Sequence, residues 1–121
     1  MRRGEIWLAN LNPPRGREIG KMRPVLVVQS DELLAIDTPL VVVLPLTTQI
    51  RPGMSAWRVH FAKRQRLLQD SQIVIDQPRA LDRERLIDGP LAEASRQEMD
   101  AVDRSLAAVL GLPFDGATSR R

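Results

Sequence analysis

Two stretches of the chain are almost wholly apolar and rich in β-branched residues: Pro24-Val25-Leu26-Val27-Val28 and Leu40 to Leu46. Runs of this length and composition predict strands buried on both faces. Ser71-Gln72-Ile73-Val74-Ile75-Asp76-Gln77 predicts another, stopped by Pro78. Glu5 to Leu11 predicts the first strand, with Trp7 in the core. Trp57-Arg58-Val59-His60-Phe61 alternates apolar and polar residues. That pattern predicts a half-exposed strand with Arg58 and His60 outward and Trp57 in the core. A short strand is predicted over Ile87 to Leu91, preceded by a turn from Arg79 to Leu86. Pro24 suits a first strand position, where its missing N–H costs the ladder little. Pro45 predicts an edge or a bulge near the end of its strand.

Helical signals are fewer. Ser95-Arg96-Gln97-Glu98 is a capping box, with Ser95 as N-cap and Glu98 at N3. Met99, Val102, Leu106 and Val109/Leu110 then recur at helical spacing until Gly111 and Pro113. A helix of one or two turns is predicted after Ser30 or Asp31. Many short strands without βαβ alternation predict a mainly β fold with a C-terminal helix. The expected form is a small antiparallel barrel or strongly curved sheet, closed or capped by that helix. One domain is expected over residues 1–112, with 113–121 as a flexible tail.

Composition narrows the chemistry. The chain has no Cys and one His, which excludes thiolate chemistry and any histidine pair within one chain. No apolar run is long enough to span a membrane, and the N-terminus shows no signal-peptide pattern, so a cytoplasmic protein is expected. The net charge of +3 is unevenly spread. Residues 1–23 hold six cations against two acids, and residues 51–66 hold five cations and no acid. Residues 67–121 hold ten acids and seven bases. Two basic segments predict a face for a polyanion, with Arg58, Lys63, Arg64 and Arg66 as a phosphate track.

Polar residues gather at the proline-marked strand ends. Arg23 precedes Pro24, Thr47-Thr48-Gln49 follows Pro45, and Asp76-Gln77 precedes Pro78. A long charged loop containing Glu18 leads into Arg23. Brought to one rim, these groups suit a substrate that carries its own nucleophile. RNA does so through its 2′-hydroxyl. Glu18 is then the base, Arg23 stabilises the phosphorane, Thr47 donates to a phosphate oxygen, and Asp76 and Gln77 read base edges. The set has no metal-hydrolysis parts, no Ser-His-Asp triad and no phosphate-binding glycine motif.

The order of motifs resembles the MazF/PemK-type toxins of bacterial toxin–antitoxin systems. The resemblance rests on Arg3-Gly4-Glu5-Ile6-Trp7-Leu8 with Asn12-Pro13, and on Gly16-Arg17-Glu18 leading to Arg23-Pro24-Val25-Leu26-Val27-Val28. It continues in Pro45-Leu46-Thr47-Thr48-Gln49 and in Asp76-Gln77-Pro78-Arg79-Ala80-Leu81-Asp82. It spans residues 2 to about 112. It implies an SH3-like barrel that forms a homodimer. It implies an endoribonuclease, needing no metal or cofactor, that cuts single-stranded mRNA to a 2′,3′-cyclic phosphate and a 5′-hydroxyl. It also implies a cognate antitoxin whose acidic tail occupies the RNA groove. Arg23 and Thr47 match catalytic residues, and Glu18 matches a glutamate catalytic in some members. Arg17, Lys21, Thr48, Gln49, Arg58, Asp76, Gln77 and Arg79 are the expected RNA-binding residues. The PemK-like branch carries a histidine where this chain has Arg17, and an arginine where it has Val74. The chemistry would then fall on Glu18, Arg23 and Thr47.

Two other readings stay open. One is a gyrase poison on the same barrel, as in CcdB-like relatives, which depend on an aromatic at the helix tip. Here the helix ends Leu110-Gly111-Leu112, with Phe114 nearby. The other is a barrel that binds RNA or antitoxin without catalysis.

Overall fold

The computed structural model describes residues 1–54 and 56–114. The expected tail therefore lies outside the described residues from position 115 onward. Seven strands form one antiparallel sheet: β1 (Glu5–Asn10), β2 (Met22–Val27), β3 (Leu40–Thr47), β4 (Arg58–Phe61), β5 (Ser71–Val74), β6 (Arg79–Asp82) and β7 (Leu86–Glu93). Among the described residues two α-helices accompany them, α1 (Asp31–Ala35) and α2 (Arg96–Leu110). The strand order is β4-β5-β3-β2-β1-β7, with β6 also paired to β3.

The central strand is β3, which changes partner along its length. Residues Leu40–Val43 pair with β6, and Leu46 and Thr47 pair with β5. On its other side Val43, Leu44 and Pro45 pair with β2. The Val28 N–H donates to Val42 O, so by antiparallel alternation Val42 and Leu44 turn their backbone groups toward β2. Val43 and Pro45 turn theirs the other way. The missing N–H of Pro45 thus falls where β3 changes partner, opposite Val74, the last residue of β5. Pro45 lies inside the sheet rather than at the expected edge.

The curved sheet buries apolar side chains on both faces. One cluster joins Ile6, Leu26, Leu44, Phe61, Ile73 and Ile75 to Val102 of α2, with Met99, Leu106 and Val109 packed alongside. This is the predicted apolar stripe of α2. The other cluster joins Ala9, Val25, Val27, Val41, Val43 and Leu81, with Leu34 of α1 and partly buried Trp7. Gly89 lies against the Trp7 indole, where a Cβ would collide with the ring. Trp57, expected in the core, is instead 46% exposed. It falls one residue before β4 begins, so the pleat does not turn it inward. The stretch from Arg79 to Leu86, expected as a turn, forms β6 and a 3₁₀ turn over Arg83–Arg85. Its four-residue strand carries charges at both ends, which hides it from patterning.

No strand pairing joins β4 to β7 among the described residues. The sheet is closed in part by the connection over residues 62–70, where Arg66 N donates to Leu91 O at 2.8 Å and Glu93 N to Gln65 Oε1 at 3.0 Å. Both capping predictions hold. Ser30 caps α1, and Ser95 with Glu98 forms the capping box of α2.

Glu98 does a second job. Both its carboxylate oxygens accept from Arg64 at 2.6 Å. The Arg64 guanidinium also lies 3.9 Å above the Phe61 ring. This ties the 62–70 connection to the start of α2. Partial burial opposes ionisation of Glu98, but hydrogen bonds from Arg64 and Ser95 outweigh it and hold the carboxyl below its ordinary value of 4.5. The carboxylate therefore stabilises the fold fully above the unfolded value, and this contribution is lost as pH falls through the lower folded value. Glu98→Gln should lower stability by roughly 1–2 kcal/mol near neutral pH and flatten the acid limb. Urea melts at a series of pH values measure both; an unchanged acid limb would contradict the role.

Candidate functional site

The register of β2 on β3 sets the site. Val25 faces Pro45, so two more steps along both strands bring Arg23 opposite Thr47. Thr47 in turn faces Gln72 of β5, and Gln72 faces His60 of β4. One row across the sheet thus reads Arg23, Thr47, Gln72, His60.

Arg23 is half-buried and held from behind. Its Nε donates to Gly20 O at 2.8 Å. Gly20 is packed on Pro14 so closely that a Cβ would sit 2.7 Å from the ring. This use of Nε leaves the terminal amines of Arg23 for a ligand. Thr47 is 6% exposed, and its Oγ1 accepts from Gln49 N at 3.1 Å. The hydroxyl proton remains to be donated. Both residues line a cleft of about 390 Å³. Its wall carries five cations, Arg17, Lys21, Arg23, Arg51 and Arg58, with Thr48, Gln49, Gln77 and Ile19. Three loci far apart in sequence therefore converge, as the strand-end prolines suggested.

Gln72 was missed by the sequence reading, although it is the one amide in a wholly buried strand. Its Oε1 accepts from Arg51 N at 3.0 Å and from Arg58 Nη1 at 3.3 Å. Arg58 is otherwise loosely held, with a 3.4 Å contact to Gln49 O. Its Nε is buried without a hydrogen-bond partner among the described residues. A buried guanidinium N–H left open in a cation-lined cleft suits an anion. Position 74 holds a fully buried valine. Arg58 is its cross-strand partner, so a guanidinium still reaches this face.

The loop over residues 11–21 forms the other wall. Gln77 Oε1 accepts from Ile19 N at 2.9 Å. Arg79 Nη1 donates to Leu11 O at 3.1 Å and Ile19 O at 3.2 Å. Arg85 Nη1 donates to Asn10 O and Asn12 O at 3.2 and 2.6 Å. Asn12 Oδ1 accepts from Lys21 N, and Lys21 sits at φ 74°, uncommon for a residue with a side chain. Gln77 and Arg79, expected as RNA contacts, thus also shape the loop.

Glu18 does not line the Arg23–Thr47 cleft. With Asp76, Pro78 and Arg79 it lines an adjoining cavity of about 360 Å³, which shares Arg17 and Gln77 with the cleft. Its Oε1 accepts from Arg15 N at 2.9 Å. The expected phosphate track is also shorter than the charge map implied. Arg64 is bound to Glu98 and Arg66 to Asp88, acids from the second half of the chain. Phe114, near the helix tip, lies under the Arg104 guanidinium at 5.8 Å.

Arg79 is the clearest structural support of the loop. Arg79→Ala removes two charge-assisted bonds, so amides of residues 12–21 should exchange roughly tenfold faster or more while β3 and β5 stay protected. Hydrogen exchange read by mass spectrometry decides it, and unchanged loop protection would show that the clamp is idle.

The model of a family described as PemK-like, MazF-like toxin of type II toxin–antitoxin system matches residues 2–110. Among solved structures, MazF from Deinococcus radiodurans superposes with a TM-score of 0.78 at 24% identity, covering 93% of this chain and 97% of that one. The Mycobacterium tuberculosis toxin MazF-mt6 superposes with a TM-score of 0.74 at 21% identity, covering 91% and 99%. An endoribonuclease in complex with its cognate antitoxin, from a mycobacterial species, superposes with a TM-score of 0.71 at 23% identity, covering 95% and 97%. At these identities the structural likeness speaks for the fold.

Proposed function

The chain belongs to the PemK-like, MazF-like toxin family of type II toxin–antitoxin systems, and we propose that it is an endoribonuclease that cleaves single-stranded mRNA without a metal ion. The observation that carries this reading is the meeting of the open end of Arg23 with the hydroxyl of Thr47 in a cleft walled by five cations. A site of one sign draws a polyanion and stabilises charge that grows on phosphorus.

The reaction follows from these groups. The substrate's 2′-oxygen attacks the adjacent phosphorus. The new O–P bond forms as the bond to the 5′-oxygen breaks, leaving a 2′,3′-cyclic phosphate and a 5′-hydroxyl. Arg23 and Thr47 donate to the non-bridging oxygens of the phosphorane. Arg23 stabilises rather than donates a proton, because a guanidinium stays charged. The leaving oxygen takes its proton from solvent. Glu18 is the proposed base for the 2′-proton. It is one residue from Arg17, which lines the cleft, and exchanging its bond to Arg15 N costs about 1 kcal/mol. Arg17, Lys21, Thr48, Gln49 and Arg58 hold the flanking phosphates, and Asp76 with Gln77 borders the next nucleotide.

The same electrostatics suit an antitoxin with an acidic segment laid along the cleft. The active unit is a homodimer, and its place is the cytoplasm, where mRNA is the target. The gyrase reading has less to rest on, since the one aromatic near the helix tip packs back against Arg104.

Purified protein should cut a long single-stranded RNA in EDTA at recurrent sites, leaving cyclic-phosphate ends. Arg23→Ala should reduce the rate roughly 100- to 1,000-fold, and Thr47→Val about tenfold or more. Intact RNA with the wild type, or equal cutting by Arg23→Ala, would refute the reading.

The base is tested separately. Glu18→Gln should slow cleavage roughly 100-fold while RNA affinity changes little. Full activity in Glu18→Gln would remove Glu18 from the chemistry and leave Arg23 and Thr47 in place.

A further inference from the structure

Arg23, Thr47, Lys21 and Thr48 line a second cavity as well, of about 440 Å³, on the side of the cleft away from Glu18. Its character is different. Where the first cleft is walled by cations, this one sets apolar side chains, including Met22, Leu46, Leu67 and Leu68, beside Lys21, Arg23 and Arg66. Leu68 is 81% exposed and Met22 47% exposed. Neither exposure is due to a slack backbone. Leu67 and Arg64 exchange backbone hydrogen bonds at 2.9 and 3.1 Å, Arg66 N is fixed to Leu91 O, and Asp70 Oδ1 accepts from Lys63 N at 2.9 Å. Met22 is the first residue of β2. A rigid frame therefore holds two large apolar side chains in water, next to a charged cleft.

We propose that this cavity is a nucleobase subsite, in which the base on one side of the scissile phosphate stacks against Leu68 and Met22. The inference rests on the nuclease reading, which puts the phosphate between Arg23 and Thr47. A single RNA strand alternates charged phosphate with a flat apolar base, and unpaired bases seek a surface to stack on. The two cavities offer the matching alternation around one shared pair of residues. No aromatic side chain among the described residues lines the groove, so the stacking surface is aliphatic. Gln69 borders it too, and its amide has no protein partner among the described residues, so a donor and an acceptor face the base edge. The subsite therefore sets part of the sequence preference, whereas Arg17 and Arg58 grip the backbone regardless of sequence.

The test compares two probes of equal length and charge: a single-stranded 2′-O-methyl oligonucleotide, which lacks the nucleophile, and an abasic oligomer. The wild type should bind the base-bearing probe at least about tenfold tighter. Leu68→Ser should weaken that probe about five- to tenfold and leave the abasic one unchanged; Arg58→Ala should weaken both. Because Leu68 is so exposed, its loss should not unfold the protein. Gln69→Ala gives a second variant, which should shift the cleavage sequence at one flanking position. The proposal is overturned if Leu68→Ser weakens both probes equally or neither. It is also overturned if Leu68→Ser lowers the molecular mass in solution while both affinities move together, since a second copy would then be the occupant. If unmodified RNA stays intact but the base-dependent gain is present and lost in Leu68→Ser, the nuclease reading falls and the subsite stands. Cleavage without that gain has the opposite meaning.

Discussion

The partner exchange along β3 is the constraint on which the rest depends. A strand of eight residues serves β6 over its first half and β5 at its end, with β2 along the other side. Pro45 sits at the handover, where its lack of an N–H forgoes one ladder bond at the very end of β5. From this joint the sheet can bend, giving two apolar faces and a separate covering element for each. The same joint fixes the register that sets Thr47 against Gln72 on one side and opposite Arg23 on the other. The functional row is thus a consequence of how the sheet turns, not an addition to a finished fold.

The arginines divide into two populations with different physical tasks. Arg64, Arg79, Arg83 and Arg85 are tied to carboxylates or backbone carbonyls, where a planar fork can join two chain segments at once. These are staples for loops that have little apolar surface of their own. Arg17, Arg23, Arg51 and Arg58 keep donors toward the cleft. The buried Nε of Arg58 marks the boundary between the two, since it is positioned by Gln72 yet left incomplete. A count of cations along the sequence cannot make this division. It depends on which acids of the second half fold back onto residues 62–70.

Local signals in the sequence carried the elements whose identity is decided locally. The capping box at Ser95 and Glu98, the N-cap at Ser30 and the apolar runs of β2 and β3 all appear where patterning put them. The convergence of Arg23 with Thr47 was legible because prolines mark both strand ends. What was not legible depended on tertiary partners. Strand β6 is short and flanked by charges, so only its pairing with β3 reveals it. Trp57 has the hydropathy of a core residue but stands just outside the pleat. Gln77 and Arg79, expected as RNA contacts, also bond the loop over residues 11–21, a role no sequence pattern reveals. Gln72 was visible only as an anomaly, an amide in a wholly buried strand.

A cleft of one sign binds every stretch of nucleic acid about equally well, because phosphates are the same at each step. Selectivity then has to come from its two ends. At one end Glu18 and Asp76 share a cavity with Arg17 and Arg79, so charges of both signs and the Gln77 amide line it. At the other end exposed aliphatic side chains reward a flat apolar surface. These ends differ in chemistry, so a strand that enters reversed meets the wrong group at each. Polarity of binding therefore follows from the asymmetry of the flanks, while the cations at the centre supply the grip. The loop staples Arg79 and Gln77 gain a functional meaning from this. By fixing the loop over residues 11–21, they hold this mixed-charge end in place beside the cation-lined cleft.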